Sequence, residues 1–428
     1  MTTRLERRRA ALWRQRDFSL FFVGETTSQV GSAVTVIALP LVATTSLHAS
    51  AFAVALLGAA TWAPWLIFGL LAGAWVDRLP PRRVMLICDL VSLTAFASVP
   101  VAEWGGVLGM AQLVVIALAA GSAAVFFYTA YQVLISDIVA QDDLAEANAK
   151  LSGSRSVAQL SGPGLGGAIA QAAGPAGGLL LDAASFAASF ICLAALRPGE
   201  NRRRTTDRSQ TSLAQDSVHG LRFVLRDPLV RAPVAWAAAI NLSLSGSEAL
   251  IVYFLVRTVG LSAASTGLIM ASFGVGGVLG ALITRPVSRK FGTSRAALLA
   301  VLVCTPFELL LPLTRQGLGV VFAVIAVAVV SIGVTIMNIA IGTFIQTYVP
   351  PDMLGRVTAT MGTATSAMMP IGSLLAGLLA TDLGARTALW IIALGVVGSS
   401  LFLLASPMRY LRDLPHQPPQ SHSADVAG

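Results

Sequence analysis

Residues 318–344 read LGVVFAVIAVAVVSIGVTIMNIAIGTF, a stretch without a single charged side chain. About 20 apolar residues in a helix cross the hydrocarbon core of a bilayer, so this stretch is long enough to span one. Within lipid, every backbone amide must be hydrogen-bonded inside its own segment, which predicts a helix rather than a strand. A buried helix of a soluble protein rarely reaches this length, so the stretch indicates a membrane protein.

Eleven further runs of the same kind occur along the chain. They lie at residues 18–44, 51–75, 84–102, 108–133, 155–173, 177–196, 232–256, 264–284, 295–313, 357–380 and 386–405. The composition agrees, because 55% of the 428 residues are hydrophobic and only 12% are charged, against about 25% charged residues in soluble domains. The sequence therefore predicts an all-α membrane protein with twelve transmembrane helices.

The basic residues set the expected orientation of these helices. If the N-terminus is cytoplasmic, the outer loops contain only Arg257, Arg315 and Arg386, and the other 26 of the 29 Lys and Arg residues face the cytoplasm. The positive-inside rule then predicts that both termini are cytoplasmic. We interpret the net charge of +8 as a topology signal with contacts to membrane lipids, and we expect no nucleic-acid partner. The many Arg, Ala and Gly residues suggest a GC-rich bacterial genome, hence the cell (inner) membrane.

The chain repeats itself at an offset of 210 residues. Ten of the 37 positions in 134–170 are identical in 344–380, and Arg16-Asp17 is matched by Arg226-Asp227. Six helices separate the copies, so both insert with the same orientation, as a parallel repeat. We expect an N-terminal six-helix half (1–196), a cytoplasmic linker with an amphipathic helix (197–230), a C-terminal half (231–406) and a disordered cytoplasmic tail (407–428).

The segment after helix 2 reads GAWVDRLPPRR at residues 73–83. It resembles the signature that the major facilitator superfamily carries there, and two parallel six-helix halves are the plan of that fold. The resemblance implies a conformational latch in which Asp77 joins the halves when the cytoplasmic side closes. The latch residues would be Gly73, Asp77, Arg78, Arg82 and Arg83, with Arg356 at the start of helix 11 as the partner.

Further motifs narrow the resemblance to one branch. They are GETTSQVG at 24–31, residues 126–148, LDAASF at 181–186 and VPPDMLGRV in loop 10–11 at 349–357. Together they are similar to the branch that contains macrolide-efflux proteins and enterobactin exporters, over about residues 10–405.

Helix 5 carries GPGLGG at 162–167, which is similar to a motif that exporters have in this helix. A proline removes one helical hydrogen bond, and glycines let helices approach closely. We expect an alternating-access hinge at Gly162, Pro163, Gly166 and Gly167. Helix 4 lacks the arginine that many proton-coupled drug antiporters of the superfamily carry. A coupling scheme copied from those proteins therefore does not fit this chain.

Ionisable groups inside a membrane span are costly and mark functional sites. Glu25 and Glu248 are the two deep carboxylates, each on the first helix of its half, whereas Asp89, Asp182 and Glu308 lie nearer an interface. A desolvated carboxyl group can hold a proton and release it when a cation approaches. We expect substrate or proton binding at Glu25, Glu248, Gln29, Asn241, Asn338 and Arg155, with Arg155 placed at the start of helix 5. Six aromatic side chains are further candidates for stacking on a flat substrate, although such residues more often pack or line the interface: Trp62, Trp65, Trp236, Phe126, Phe127 and Tyr128.

These features favour a secondary-active exporter of lipophilic small molecules, driven by proton antiport and acting as a monomer. An exporter of a self-made siderophore or natural product, or a lysophospholipid flippase, is the alternative within the transporters. A membrane enzyme is disfavoured because Cys88, Cys192 and Cys304 are isolated and no catalytic or metal-binding set occurs, and we expect no cofactor. A primary pump would need a nucleotide-binding phosphate loop, which the sequence lacks. A sensor or scaffold would not need carboxylates inside both halves.

Overall fold

The structure is a computed structural model that describes residues 12–13, 15–69, 71–76, 78–197 and 221–415. These residues form helices and no strand, and the long helices are α1 (Arg16–Leu41), α2 (Ala51–Phe68), α3 (Pro81–Trp104), α4 (Met110–Ile138), α5 (Leu144–Ala173), α6 (Pro175–Ala194), α7 (Pro228–Tyr253), α8 (Ala263–Phe291), α9 (Thr293–Cys304), α10 (Val320–Tyr348), α11 (Pro351–Leu383) and α12 (Ala385–Leu404). Shorter pieces extend them: π-helical turns after α1 (Val42–Ser46) and α7 (Phe254–Thr258), a short helix after α2 (Leu71–Val76), and 3₁₀ segments after α9 (Thr305–Leu313) and α12 (Pro407–Tyr410).

Eleven of the twelve long helices, counted with these extensions, are long and apolar enough to cross a membrane. The remaining one, α5, has 30 residues but carries Glu146, Lys150 and Arg155 in its first turns. The predicted all-α membrane fold with two six-helix halves is confirmed.

Two helix starts differ from the prediction, and both helices have charged residues in their first turns. α5 begins at Leu144 and not near 155, and α11 begins at Pro351 and not near Arg356. Proline is favoured in the first turn of a helix because its missing amide would have no intrahelical partner there. The first turns of α5 and α11 are polar, so hydropathy alone assigns them to loops, but in the structure they are helical. Arg155 therefore lies about three turns inside α5.

The 210-residue offset recurs in the helix bounds. α4 and α10 begin and end 210 residues apart, and so do α6 and α12. α5 is joined to α6 by Gly174 alone, with φ of 78°, and α11 is joined to α12 by Gly384, with φ of 81°. Such positive φ angles favour glycine, so each half uses the same one-residue turn.

The bundle has two ends. The terminal face is the end where α1 begins (Arg16) and α12 ends (Leu404), and the loop face is the opposite end. On the loop face, single glycines make two of the six connections, and four to six residues make each of the others. Short connections hold consecutive helices antiparallel and adjacent.

Apolar packing differs between these ends. At the loop face one buried cluster contains side chains from both halves, such as Ile37, Leu41 and Ala55 with Leu250 and Phe254. At the terminal face the halves have separate clusters. One is drawn from residues 12–196 and the other from residues 224–414.

Two helix pairs make the main contacts between the halves. In the first seam, α5 packs against α8, and a Cβ on Gly167 would lie 2.8 Å from the Cα of Gly267. In the second seam, α2 packs against α11, and a Cβ on Gly377 would lie 2.7 Å from the Cβ of Ala55. These contacts lie in the loop-face part of each helix. By contrast, Gly153 and Gly355, at the terminal ends of α5 and α11, have open space beside them. The halves are therefore joined at the loop face and apart at the terminal face.

Part of the predicted tail is packed against the bundle. We predicted disorder from residue 407, but Met408 and Leu414 are buried, and Asp413 accepts a hydrogen bond from the backbone amide of Thr293 at 2.8 Å. Apolar side chains at these two positions explain the docking. Residues 416–428, residues 198–220 of the linker and Asp77 of the latch lie outside the described residues, so the predictions made for them are not tested.

Candidate functional site

A polar pocket of about 230 Å³ lies between α1, α4 and α5, on the terminal-face side of the first seam. It is lined by Glu25, Tyr128, Tyr131, Gln132, Asn148, Leu151, Ser152 and Arg155. Gln132 and Ser152 are exposed although they lie within helices, because this side of the N-terminal half faces the gap between the halves. The pocket is thus open to solvent from the terminal face.

Glu25 provides the negative charge of this pocket. Its side chain is 5% exposed, and its Oε1 accepts a hydrogen bond of 2.7 Å from Nε2 of Gln29, one turn further along α1. The Nη2 of Arg155 lies 4.0 Å from the same oxygen, and the Arg155 side chain is 40% exposed. Three of the residues predicted from the sequence, on helices α1 and α5, are therefore brought together.

Aromatic rings form one wall of the pocket. The guanidinium carbon of Arg155 lies 5.9 Å from the ring centre of Tyr128, which stacks nearly parallel to Tyr131 at 6.5 Å. Trp65 of α2 approaches Tyr128 at 5.8 Å, and buried Phe21 approaches Tyr131 at 5.5 Å. A cation over an aromatic face is favourable, so this wall suits a positively charged group.

The polar residues of the C-terminal half occupy a different place. Glu248 is exposed on α7. The hydroxyl of its neighbour Ser247 donates a hydrogen bond to Oε1 of Glu308 at 2.7 Å. Its other neighbour, Ala249, packs near Gly58 of α2. Asn241 lies two turns earlier on the same face of α7. Asn338 is exposed on α10. None of the three lines the polar pocket.

Two other carboxylates are fully buried in the N-terminal half. Asp182 accepts hydrogen bonds from Thr35 at 2.5 Å and from Ser185 at 3.1 Å, so it ties α6 to α1. Asp89 of α3 is buried beside Ser189 of α6. Both lie outside the polar pocket.

The glycine-proline segment of α5 is packed on two sides. A Cβ on Gly162 would lie 2.2 Å from the Cβ of Ala33, and one on Gly166 would lie 2.9 Å from the carbonyl oxygen of Val34, both on α1. Toward the other half, the Pro163 carbonyl and Gly167 meet α8. The segment therefore connects the first helix of its own half with the opposite half.

The described latch residues are spread over the terminal face. Arg78 and Arg83 are exposed, whereas Arg82 donates to the carbonyl oxygens of Leu193 at 2.8 Å and Ala194 at 2.6 Å. Arg82 thus binds the C-terminal end of α6 in its own half, where a positive charge is favourable. Arg356 lies in the second turn of α11, and Gly73 lies in the short helix after α2.

A larger cavity of about 370 Å³ lies between α1 and α6, but it is a mostly apolar groove that contains no charged side chain. We therefore place the functional site at the polar pocket. Among the described residues, no group of three His, Cys, Asp or Glu side chains is arranged to hold a metal ion.

Sequence reasoning did not select five of the pocket residues: Tyr131, Gln132, Asn148, Leu151 and Ser152. Asn148 and Ser152 fall in turns that hydropathy assigns to a loop. Extending the helical period of α5 back from Arg155 would have placed Ser152 and Asn148 on the same face, three and seven residues earlier. Tyr131 and Gln132 carry no comparable signal, because α4 gives no clue to which of its faces meets α5.

Comparisons with known proteins cover both halves of the chain. The family model described as Major Facilitator Superfamily matches residues 21–373 and 249–425. The multidrug efflux pump Tap of Mycolicibacterium fortuitum is 27% identical over 88% of this chain and 94% of its own length. The multidrug efflux pump Tap of Mycobacterium tuberculosis is 27% identical over 90% of this chain and 91% of its own length.

Solved structures share the fold at low identity. The nucleoside transporter NupG, as a D323A mutant, has a TM-score of 0.75 at 12% identity, covering 91% of this chain and 99% of NupG. A bacterial homologue of the human lysosomal transporter Spinster, in an inward-facing and occupied conformation, has a TM-score of 0.71 at 13% identity, covering 92% of this chain and 96% of that one.

Proposed function

The chain belongs to the major facilitator superfamily, and on that premise we propose that it is a secondary-active exporter of lipophilic small molecules. One observation carries the proposal. The halves are joined by a shared apolar cluster at the loop face and stand apart at the terminal face, where the polar pocket opens. A binding site accessible from one side only is what alternating access requires.

We propose that the terminal face is cytoplasmic, which places both termini inside the cell and the protein in the cell (inner) membrane. The distribution of Lys and Arg supports this orientation. The described conformation then opens its pocket to the cytoplasm, the side from which an exporter loads. The substrate, protons and membrane lipids would be its partners, and the protein would act as a monomer.

For coupling, we propose that a proton and a positively charged group compete for Glu25. Glu25 is held by Gln29 and lies within 4.0 Å of Arg155, so adding a proton would cancel the charge that attracts both Arg155 and a cationic substrate. Glu248 would provide the corresponding carboxylate in the C-terminal half, with Asn241 and Asn338 as polar contacts for the substrate.

Closure of the terminal face would use the predicted latch and hinge. Asp77 and its neighbours would meet the start of α11 near Arg356, while Gly162, Pro163, Gly166 and Gly167 let α5 move against α1 and α8. The close packing of these glycines supports their role as the pivot.

The test is transport in proteoliposomes containing the purified protein and a panel of lipophilic cationic dyes. We expect dye movement driven by an imposed proton gradient, and loss of that dependence in the Glu25→Gln, Glu248→Gln double variant. Glu103→Gln is the matched control, because Glu103 lies at the loop face, bonded to Ser46. Full gradient-driven transport by the double variant would remove both carboxylates from the mechanism. Transport that survives collapse of the gradient would rule out proton antiport.

A further inference from the structure

Arg155 lines the polar pocket with donors that are free to meet a ligand. A guanidinium has five N–H donors, yet Arg155 donates no hydrogen bond to any described residue. Among the described residues, its nearest charged partner is the carboxylate of Glu25 at 4.0 Å, and it lies 5.9 Å from the ring centre of Tyr128. By comparison, Arg82 places two donors on backbone carbonyls. The donors of Arg155 are therefore directed at the pocket rather than used by the fold.

The pocket also contains the opposite charge within reach. Glu25 is 5% exposed, and its Oε1 accepts a hydrogen bond from Gln29, which fixes the position of the carboxylate. The rest of the lining supplies neutral polar groups from Gln132, Asn148 and Ser152. Two opposite charges thus line one wall of a cavity of about 230 Å³ without a direct hydrogen bond between them.

This arrangement discriminates between classes of ligand by their charge. A ligand carrying only a cation would place it at Glu25 and within a few ångströms of the Arg155 guanidinium, where like charges repel. A ligand carrying only an anion would place it at Arg155 and would be repelled by the nearby carboxylate of Glu25. A molecule that carries both groups close together leaves neither protein charge opposed, and an arginine can hold a carboxylate through two parallel hydrogen bonds.

We propose that the polar pocket recognises amphoteric small molecules, with the cationic group at Glu25 and the tyrosine wall and the anionic group at Arg155. The inference deepens the proposed function, because it names the substrate class of the same pocket. It assigns to Arg155 the role of the anion-binding residue, which narrows the substrates from lipophilic compounds in general to those that carry both charges.

The experiment uses two dyes that differ only in the anionic group. Tetramethylrhodamine carries a cationic xanthylium ring and a carboxylate, and in its methyl ester the carboxylate is blocked. Binding of each dye to the purified full-length protein in lipid nanodiscs is followed by fluorescence anisotropy. We expect the wild type to bind the zwitterion more tightly than the ester. Arg155→Gln should weaken the zwitterion by about tenfold or more, the range for a lost hydrogen bond to a charged group. The ester should bind no more weakly than to the wild type, and more tightly if anything, because the variant removes the positive charge that repels its cation.

Two further variants separate the charges. Glu25→Gln should weaken both dyes, since both carry the cation. Arg257→Gln is the matched control, because Arg257 is exposed at the loop face, remote from the pocket. The inference is overturned if the wild type does not favour the zwitterion, including the case in which it binds neither dye. It is equally overturned if Arg155→Gln changes both affinities alike.

Parallel transport assays in proteoliposomes distinguish this failure from failure of the proposed function. Gradient-driven movement of the ester with no preference for the zwitterion would keep the exporter and remove the amphoteric class. Selective binding of the zwitterion without any transport would keep the amphoteric ligand class and remove the exporter function.

Discussion

The two seams that join the halves occupy equivalent positions in the repeat, but they are built differently. Gly167 of the first seam and Gly377 of the second are 210 residues apart. A Cβ on Gly167 would lie 2.6 Å from the carbonyl oxygen of Ala263 and 2.8 Å from the Cα of Gly267, so backbone faces backbone. A Cβ on Gly377 would first meet the Cβ of Ala55 at 2.7 Å, a side-chain atom.

The difference shows that two copies of a repeated sequence need not tolerate an added methyl group equally well. The methyl group added at Gly167 meets two backbone atoms closer than 3.0 Å, whereas the one added at Gly377 meets a single atom that close, the Ala55 Cβ, which a second substitution can delete. The first seam should therefore respond more strongly than the second to the same added methyl group, and a series of glycine substitutions measures how far the seams differ.

Gly167→Ala is expected to have the strongest effect. Overpacking a close contact costs about 1–3 kcal/mol, and costs in this range shift a two-state equilibrium by about fivefold to a hundredfold. Because the contact exists only while the loop face is closed, the population should move toward loop-face opening. Spin labels at Val107→Cys and Leu318→Cys, exposed on opposite halves of the loop face, would report a longer distance by double electron–electron resonance.

The control for this substitution lies on the same helix. Gly153 has nothing within 4 Å of its added Cβ, so Gly153→Ala should leave the distance distribution as in the wild type. If Gly167→Ala gave the wild-type distribution as well, the backbone contact would not be what holds the first seam.

Gly377→Ala should have a smaller effect, of about 1 kcal/mol, because its added Cβ has only one contact closer than 3.0 Å, where that of Gly167 has two. The same spin-label pair should show a modest loop-face opening, of about fivefold in population. Adding Ala55→Gly should restore the wild-type distribution, because it deletes the methyl group that the new one meets. Ala55→Gly alone is the reference for its own cost to the helix. No rescue in the double variant would show that the backbone of Phe52, and not Ala55, limits the second seam.

Gly58→Ala should be nearly neutral for the conformational equilibrium. Its added Cβ would lie 3.3 Å from the Oγ of Ser373 and 3.4 Å from the Cβ of Ala249, both side-chain atoms. Replacing glycine by alanine within a helix usually stabilises the helix by about 0.5–1 kcal/mol. A slightly raised thermal unfolding temperature with an unchanged distance distribution is expected. A shift as large as that of Gly167→Ala would contradict the distinction between the two seams.

Much of the fold follows from the sequence because its signals are local or repeated. The twelve helices come from apolar runs such as 318–344, and the two halves come from identities such as Gly162 with Gly372 and Gly167 with Gly377. The starts of α5 and α11 were misplaced because hydropathy measures contact with lipid, whereas a helix continues wherever its backbone bonds continue. Leu144 to Ser154 are helical without being apolar.

The site was only partly predictable for a different reason. Glu25 and Arg155 were selected because charges within spans are rare, and the structure places them within 4.0 Å. Their partners on α4 are two tyrosines and a glutamine, residue types that occur elsewhere in the chain without any such role. Only the packing of α1, α4 and α5 shows which of them share a pocket.

The short connections of the loop face have a practical consequence for reconstitution. A protease must thread an extended segment of chain through its active site, and exposed flexible loops are where it cuts. The loop face offers turns of one to six residues, whereas the connection between α6 and α7 at the terminal face contains Arg202, Arg203, Arg204 and Arg208. Trypsin added outside sealed vesicles should therefore cleave only the molecules whose terminal face is outward. The uncut fraction then gives the proportion inserted the other way, so that each transport rate can be assigned to a direction.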